Sequence, residues 1–219
     1  MKNRDYLYNK LYAYGSFDAV NFRLVKDNFK GDLPKINGVK LVSEQLEGYS
    51  FKLFTEHAKA ESKSIIHFFT DDFRLERLWK KPEYYADFWK KFDYVCSPDF
   101  STYTDMPMPL QVWNLYRSML IASHYESHGC KVIPTVLWSD ERSYRWFENY
   151  PKDSAVSIST LGVNNAEAKL FFKGLDRMIE TISPSVIVVY GNRFTEQISS
   201  ITDKAIFFKP KKNYRNEKD

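Results

Sequence analysis

The segment from Asp93 to Asp140, DYVCSPDFSTYTDMPMPLQVWNLYRSMLIASHYESHGCKVIPTVLWSD, constrains the fold more than any other part of the chain. A short apolar run ends at Ser97-Pro98-Asp99. Pro107 and Pro109 then mark a loop and a helix start. From Leu110 to His128, Val112, Leu115, Tyr116, Met119 and Leu120 recur at three- and four-residue spacing, the period of an amphipathic helix. Gly129 supplies the left-handed position that closes such a helix. A second apolar run rich in β-branched residues, 131–138, ends in Trp138-Ser139-Asp140. Strand, helix and strand in this order form a βαβ unit. Polar residues at both strand ends stand where α/β folds place ligands.

The pattern extends in both directions. The segment KSIIHFFT, 63–70, reads as a strand ending at Asp71-Asp72, followed by helical stretches from Phe73 to Trp79 and from Pro82 to Phe92. Downstream, a short helix is expected over 141–149 and a strand over 155–160. A helix over 164–183 is ended by Pro184, and a buried strand SVIVVY covers 185–190. A helix over 194–201 and a last strand over 205–208 complete the series. A first strand is expected at 39–42. This alternation predicts an α/β fold with a parallel sheet. The expected architecture is a TIM-like parallel β/α barrel, either incomplete or closed by about seven strands, because the chain's 219 residues lie near the short limit of that fold. An open doubly wound sheet is the alternative.

A single domain is expected. Residues 1–62 form an irregular aromatic arm with the first strand packed on the core, 63–208 form the β/α core, and 209–219 form a disordered basic tail. The net charge is +4. The tail from Lys209 holds five Lys or Arg against Glu217 and Asp219, so three of those four charges sit there. A near-neutral body argues against a general nucleic-acid binder, which needs a basic face on its folded part. Cys96 and Cys130 have no zinc spacing and read as small core residues in a reducing compartment. No apolar run reaches the ~20 residues of a membrane span. The N-terminus lacks an apolar signal core, and a cytoplasmic location is expected.

The expected strand ends are Thr70-Asp71-Asp72, Ser97 with Asp99, Trp138-Ser139-Asp140, Thr160 with Asn164, and Tyr190 with Asn192. Parallel strands put these ends on one rim. Asp71, Asp72 and Asp99 are the candidate catalytic residues, as general acid and base. Asp71 and Asp99 are also the candidate ligands for Mg²⁺ or Mn²⁺. Asp is equally the favoured helix N-cap, and each of these aspartates precedes a helix or turn. Arg74 and Arg117 are candidate clamps for a phosphate or carboxylate, with a structural ion pair as the competing role for Arg117. Trp138 and Tyr190 are candidate stacking surfaces; Asp140, Thr160, Asn164 and Asn192 complete the candidate ligand-binding set. The turn at 160–164 opens a helix but lacks the P-loop lysine. His67 lies inside a strand, and the other histidines show no metal spacing.

FFTDDFRLERLW, SPDFSTYTDMPMPLQVWNLYRS, HGCKVIPTVLWSD and PSVIVVYG resemble a family of domains of unknown function found in bacteria, phages and other mobile elements. The resemblance runs from about Ile65 to Gly191 and is carried most specifically by the SPDFS…DMP…W…YRS pattern. It implies that Asp140 stands at a position where acidic and amide residues exchange, which weights Asp71, Asp72, Asp99 and Arg117 above it. The expected function is binding or processing of a phosphate- or sugar-containing small molecule, such as a nucleotide, at the rim. The alternative is a non-catalytic protein that binds a host factor or nucleic acid through its aromatic arm and basic tail.

Overall fold

The computed structural model of the protein describes residues 20–25, 28–59 and 63–210. Two short strands, β1 (Phe29–Lys30) and β2 (Leu33–Pro34), pair antiparallel around Gly31. Gly31 has φ +63°, a left-handed turn conformation that glycine adopts without a Cβ penalty. The core strands follow: β3 (Ser50–Leu53), β4 (Ser64–His67), β5 (Tyr94–Cys96), β6 (Val132–Ile133), β7 (Ala155–Ser159), β8 (Val186–Tyr190) and β9 (Ala205–Phe208). Between β4 and β5 lie α1 (Asp72–Lys80) and α2 (Pro82–Trp89). Helix α3 (Met108–Ser127) joins β5 to β6, α4 (Ala168–Ile182) joins β7 to β8, and α5 (Thr195–Ile201) joins β8 to β9.

The strands form two parallel sheets, β3-β4-β5-β6 and β7-β8-β9. One parallel bridge, Thr135 to Ser157, joins them. Around it Val136 N–H donates to the Ser157 carbonyl at 2.9 Å and Ser157 N–H donates to the Pro134 carbonyl at 2.8 Å. Spatial order therefore follows chain order, without the reversal that defines the switch point of a doubly wound sheet. Among the described residues no ladder joins β9 to β3. Ring contacts nevertheless link the first and last strands: Phe51 on β3 lies 4.9 Å from Phe208 on β9 and 5.4 Å from Tyr190 on β8.

Register decides which residues share this inner face. Leu53 is aligned with His67, Cys96 with Ile133, and Tyr190 with Phe208. The other face packs under the helices. Strand β8 is buried throughout, as its unbroken apolar run requires when both faces are covered. Each Val or Ile so buried contributes roughly 1.5–3 kcal/mol. Helix α3 is buried nearly all round from Leu115 to Tyr125. The segment from Asn28 to Gly38 covers its outer side. Asn28 Nδ2 donates to Ser123 Oγ at 2.8 Å, and the Glu126 carboxylate accepts from the amides of Asn37 and Gly38 at 2.9 and 2.7 Å.

Some elements depart from expectation. Residues 39–42 form no ladder strand; Val39 only accepts one bond from Ala155 N–H, at 2.7 Å. The strand beside β4 is instead β3, whose Phe51 and Leu53 face inward while Lys52 faces out. The run 131–138 pairs in β6 only through Ile133, because Pro134 has no N–H to give a ladder. Residues 141–149 wind as 3-10 rather than α-helix. The aromatic arm up to residue 19 and the basic tail from residue 211 lie outside the described residues.

Candidate functional site

Because the core strands are parallel, their C-terminal ends face one way. The loop after β5 is pinned from two sides. Ser97 Oγ accepts from Thr135 N–H at 2.7 Å, and Ser118 Oγ of α3 donates to the Pro98 carbonyl at 2.6 Å. Asp99 comes next. It keeps partial solvent contact, and its carboxylate has no hydrogen-bond or ion-pair partner among the described residues. Burial, reinforced by the nearby charge of Asp72, pushes its pKa up to about 7.

Asp72, in the first turn of α1, is held by the same loop. Ser101 donates to it twice, from its backbone N–H at 3.1 Å and its hydroxyl at 2.9 Å. Asn114 Nδ2 on α3 donates to the Ser101 carbonyl at 2.6 Å. Arg117 donates to Asn114 Oδ1 at 2.6 Å and to Glu76 Oε1 at 2.6 Å. The Arg117 guanidinium also lies over the Phe100 ring, 3.8 Å from its centroid. A polar chain thus runs Asp72–Ser101–Asn114–Arg117–Glu76 and ties α1 and α3 to the β5 loop. Asp72 and Asp99 are brought together; Arg117 is committed to neighbouring side chains rather than turned to a ligand. Asp71 stands at the N-cap position of α1 without a side-chain cap bond, 3.9 Å from Arg74 Nε. Arg74 is the cation adjoining the carboxylate pair in sequence, with its side chain 39% exposed.

The remaining candidates are placed differently. Trp138 packs outward against α4: a Cβ on Gly174 would fall 2.2 Å from its Nε1, and Phe171 lies 5.4 Å away. Asp140 caps the 3-10 helix through Arg142 N–H and pairs with the Arg142 guanidinium at 2.7 Å. Those bonds hold its carboxyl below the usual range. Asn164 and Glu167 exchange side-chain-to-backbone bonds at 3.0 and 3.2 Å, a local turn closure. Thr160 is buried, with Oγ1 unpartnered among the described residues and pressed against Gly191. Asn192 is exposed. Tyr190 lies within the inner aromatic group, 4.3 Å from His67 and stacked on Phe69 at 5.5 Å.

His67, expected inside a strand, is sandwiched at 4.4 Å against Phe51 and accepts from Phe69 N–H at 3.3 Å. Burial lowers its pKa to about 3, so it stays neutral. Ser101, Asn114 and Glu76 were not among the sequence candidates. Ser101 and Asn114 lie inside the SPDFS…W…YRS pattern, which was the available signal. Among the described residues no three His, Cys, Asp or Glu side chains gather where a metal ion could be held, so the geometry lends the Mg²⁺ or Mn²⁺ expectation no support. Among the same residues no helix is long and apolar enough to cross a membrane. A shallow surface depression lined by Lys80, Lys81, Glu83, Tyr84 and Tyr85 lies at the far end of α1 from Asp72.

A model of a domain of unknown function, DUF4417, matches residues 27–208. The chain is 32% identical over 181 residues to the Gene 1 protein of Mycobacterium phage L5, covering 81% of this chain and 79% of that protein. It is 30% identical over 181 residues to the Gene 1 protein of Mycobacterium phage D29, covering 81% and 67%. No solved structure matches. The chain belongs to the DUF4417 family of domains of unknown function.

Proposed function

We propose that the seven core strands form an incomplete parallel β/α barrel whose rim binds and processes a small phosphate- or sugar-bearing molecule, with Asp99 as proton donor and Asp72 as its anionic partner. The observation that carries this reading is Asp99 itself. It is a partly exposed carboxyl at a strand end, without a partner among the described residues, and it titrates near neutrality beside a second carboxylate. A capping or ion-paired aspartate has its oxygens engaged and its pKa lowered, as Asp140 has. An acid poised near pH 7 is suited to deliver a proton to a leaving oxygen.

Chain-order strand arrangement and the Phe51–Phe208 contact support the barrel. Arg74 is the group best placed to meet an anionic substituent. Phe73 and Tyr103 are 72% and 60% exposed and lie one and two residues from the Asp72–Ser101 contact. They supply the flat faces that Trp138 and Tyr190, packed against protein, do not. The interaction-protein alternative rests on the arm and tail, of which residues 1–19 and 211–219 lie outside the described residues.

A thermal-shift panel of nucleoside phosphates and sugar phosphates at pH 6 tests the reading. At least one compound raises the melting temperature of the native protein, and Asp99→Asn, still folded, loses that response. A panel without a responder, or an undiminished response in Asp99→Asn, overturns it.

A further inference from the structure

The polar chain behind the carboxylate pair ends in a buried cation with an unusual set of contacts. Arg117 is 7% exposed and sits mid-helix on α3. Its Nη1 meets Glu76, its Nη2 meets Asn114 Oδ1, its face covers Phe100, and its Nε is buried without an acceptor among the described residues. A buried arginine with an orphan N–H and a partner that is 40% exposed is a poor stabilising device. An apolar side chain of similar length would pack there without the desolvation cost. What the arginine supplies is orientation.

Arg117 has only donors, so the group it faces on Asn114 must be the amide oxygen. That choice turns the Asn114 NH₂ toward the Ser101 carbonyl, 2.6 Å away. With its carbonyl held, Ser101 donates its N–H and its hydroxyl to Asp72. The stack on Phe100 holds the residue between Asp99 and Ser101. One guanidinium therefore holds the Asp99-Phe100-Ser101 segment directly by its ring and, through Asn114, by its backbone, while Glu76 on α1 fixes the guanidinium.

We propose that Arg117 is a positioning residue: through Asn114 and Phe100 it sets the turn that places Asp99 and Ser101 against Asp72. The proposal deepens the rim reading above and rests on it for its functional meaning, but its geometry is testable without any ligand. A lysine at 117 keeps the charge near Glu76, yet it lacks the planar fork that serves two acceptors and the flat face that stacks.

The experiment is amide hydrogen exchange on the full chain, comparing the native protein with Arg117→Lys and Asn114→Leu. The Ser101 amide is expected to exchange at least about tenfold faster in each variant, with amides of Ile66, Val95 and Val188 within about twofold of native. The ¹³Cγ resonance of Asp72 moves at the same time. An unchanged Ser101 amide, or acceleration of all these amides together, overturns the proposal. If Arg117→Lys does not fold, Asn114→Leu decides by the same criteria. A selective response at Ser101 in a protein that answers no phosphate or sugar compound keeps the positioning role and sinks the ligand reading.

Discussion

Ser101 grips Asp72 with both of its donors, the amide at 3.1 Å and the hydroxyl at 2.9 Å, across 29 residues of chain. The pairing joins the first turn of α1 to the loop after β5, so it serves the fold and the rim together. Hydrogen bonds to charged groups contribute about 1.5–3 kcal/mol net, and Asp72 retains part of its hydration. Ser101→Ala leaves the amide bond and removes the hydroxyl. It is expected to cost about 1 kcal/mol, which for a chain of this size lowers the melting temperature by about 2–4 °C. Differential scanning calorimetry at pH 7 checks this; a loss above about 3 kcal/mol would mean that the hydroxyl supports more than Asp72.

Asp99 makes stability depend on pH in a stated direction. Its folded pKa, about 7, lies above the ordinary carboxylate value of 3.8. Between those values the folded protein holds a proton that the unfolded chain releases. The resulting stabilisation is full below the unfolded pKa and is lost as pH rises through 7. The side-chain amide introduced by Asp99→Asn neither gains nor loses a proton. The variant should therefore match the native protein near pH 4 and exceed its stability by about 2 kcal/mol at pH 8, the full shift being discounted for partial exposure. Urea unfolding at the two pH values measures the difference. Parallel pH curves for the two proteins would refute the shifted carboxyl.

Gly191 follows β8 with φ +140°, and a Cβ there would fall 2.0 Å from Thr160 Oγ1. Gly191→Ala meets both a backbone strain and a collision with a buried side chain. A cost of about 3 kcal/mol is expected. Thr160→Ala removes the colliding oxygen, which itself has no partner among the described residues. In that background Gly191→Ala should cost at least about 1 kcal/mol less, the remainder being backbone strain. A double-mutant cycle by chemical denaturation separates the two terms, and full additivity would exclude the collision.

The elements legible in the sequence were those whose signal is local. The 3.6-residue period and Gly129 mark α3, and the unbroken apolar run marks β8, because helix faces and doubly covered strands write their burial into adjacent residues. Strand β3 was missed because four residues with one outward lysine carry too little pattern. Pro134 was visible, but its effect on pairing depended on a neighbour, Ser157, that only the fold supplies. At the rim, Asp72 and Asp99 could be named from their strand-end positions. Their link through Ser101 could not, nor could the bond of Arg117 to Glu76 across 41 residues. Trp138 looked available for stacking because nothing in sequence announces that Gly174 on α4 makes room for its indole.

His67 gives a second pH signature, of opposite sign. It is enclosed by Phe51, Phe69 and Tyr190, and its only hydrogen bond among the described residues comes from Phe69 N–H. Burial lowers its pKa from 6.5 to about 3. The unfolded chain therefore binds a proton that the folded protein refuses, and stability falls as pH drops below 6.5. By pH 5 this group alone removes about 2 kcal/mol. His67→Phe keeps a flat ring between the same neighbours and abolishes the titration. The variant should lose less stability than the native protein between pH 7 and pH 5, by about that amount. Guanidinium unfolding at both pH values supplies the comparison. An equal acid sensitivity in the two proteins would show that His67 is hydrated and can accept its proton in the folded state.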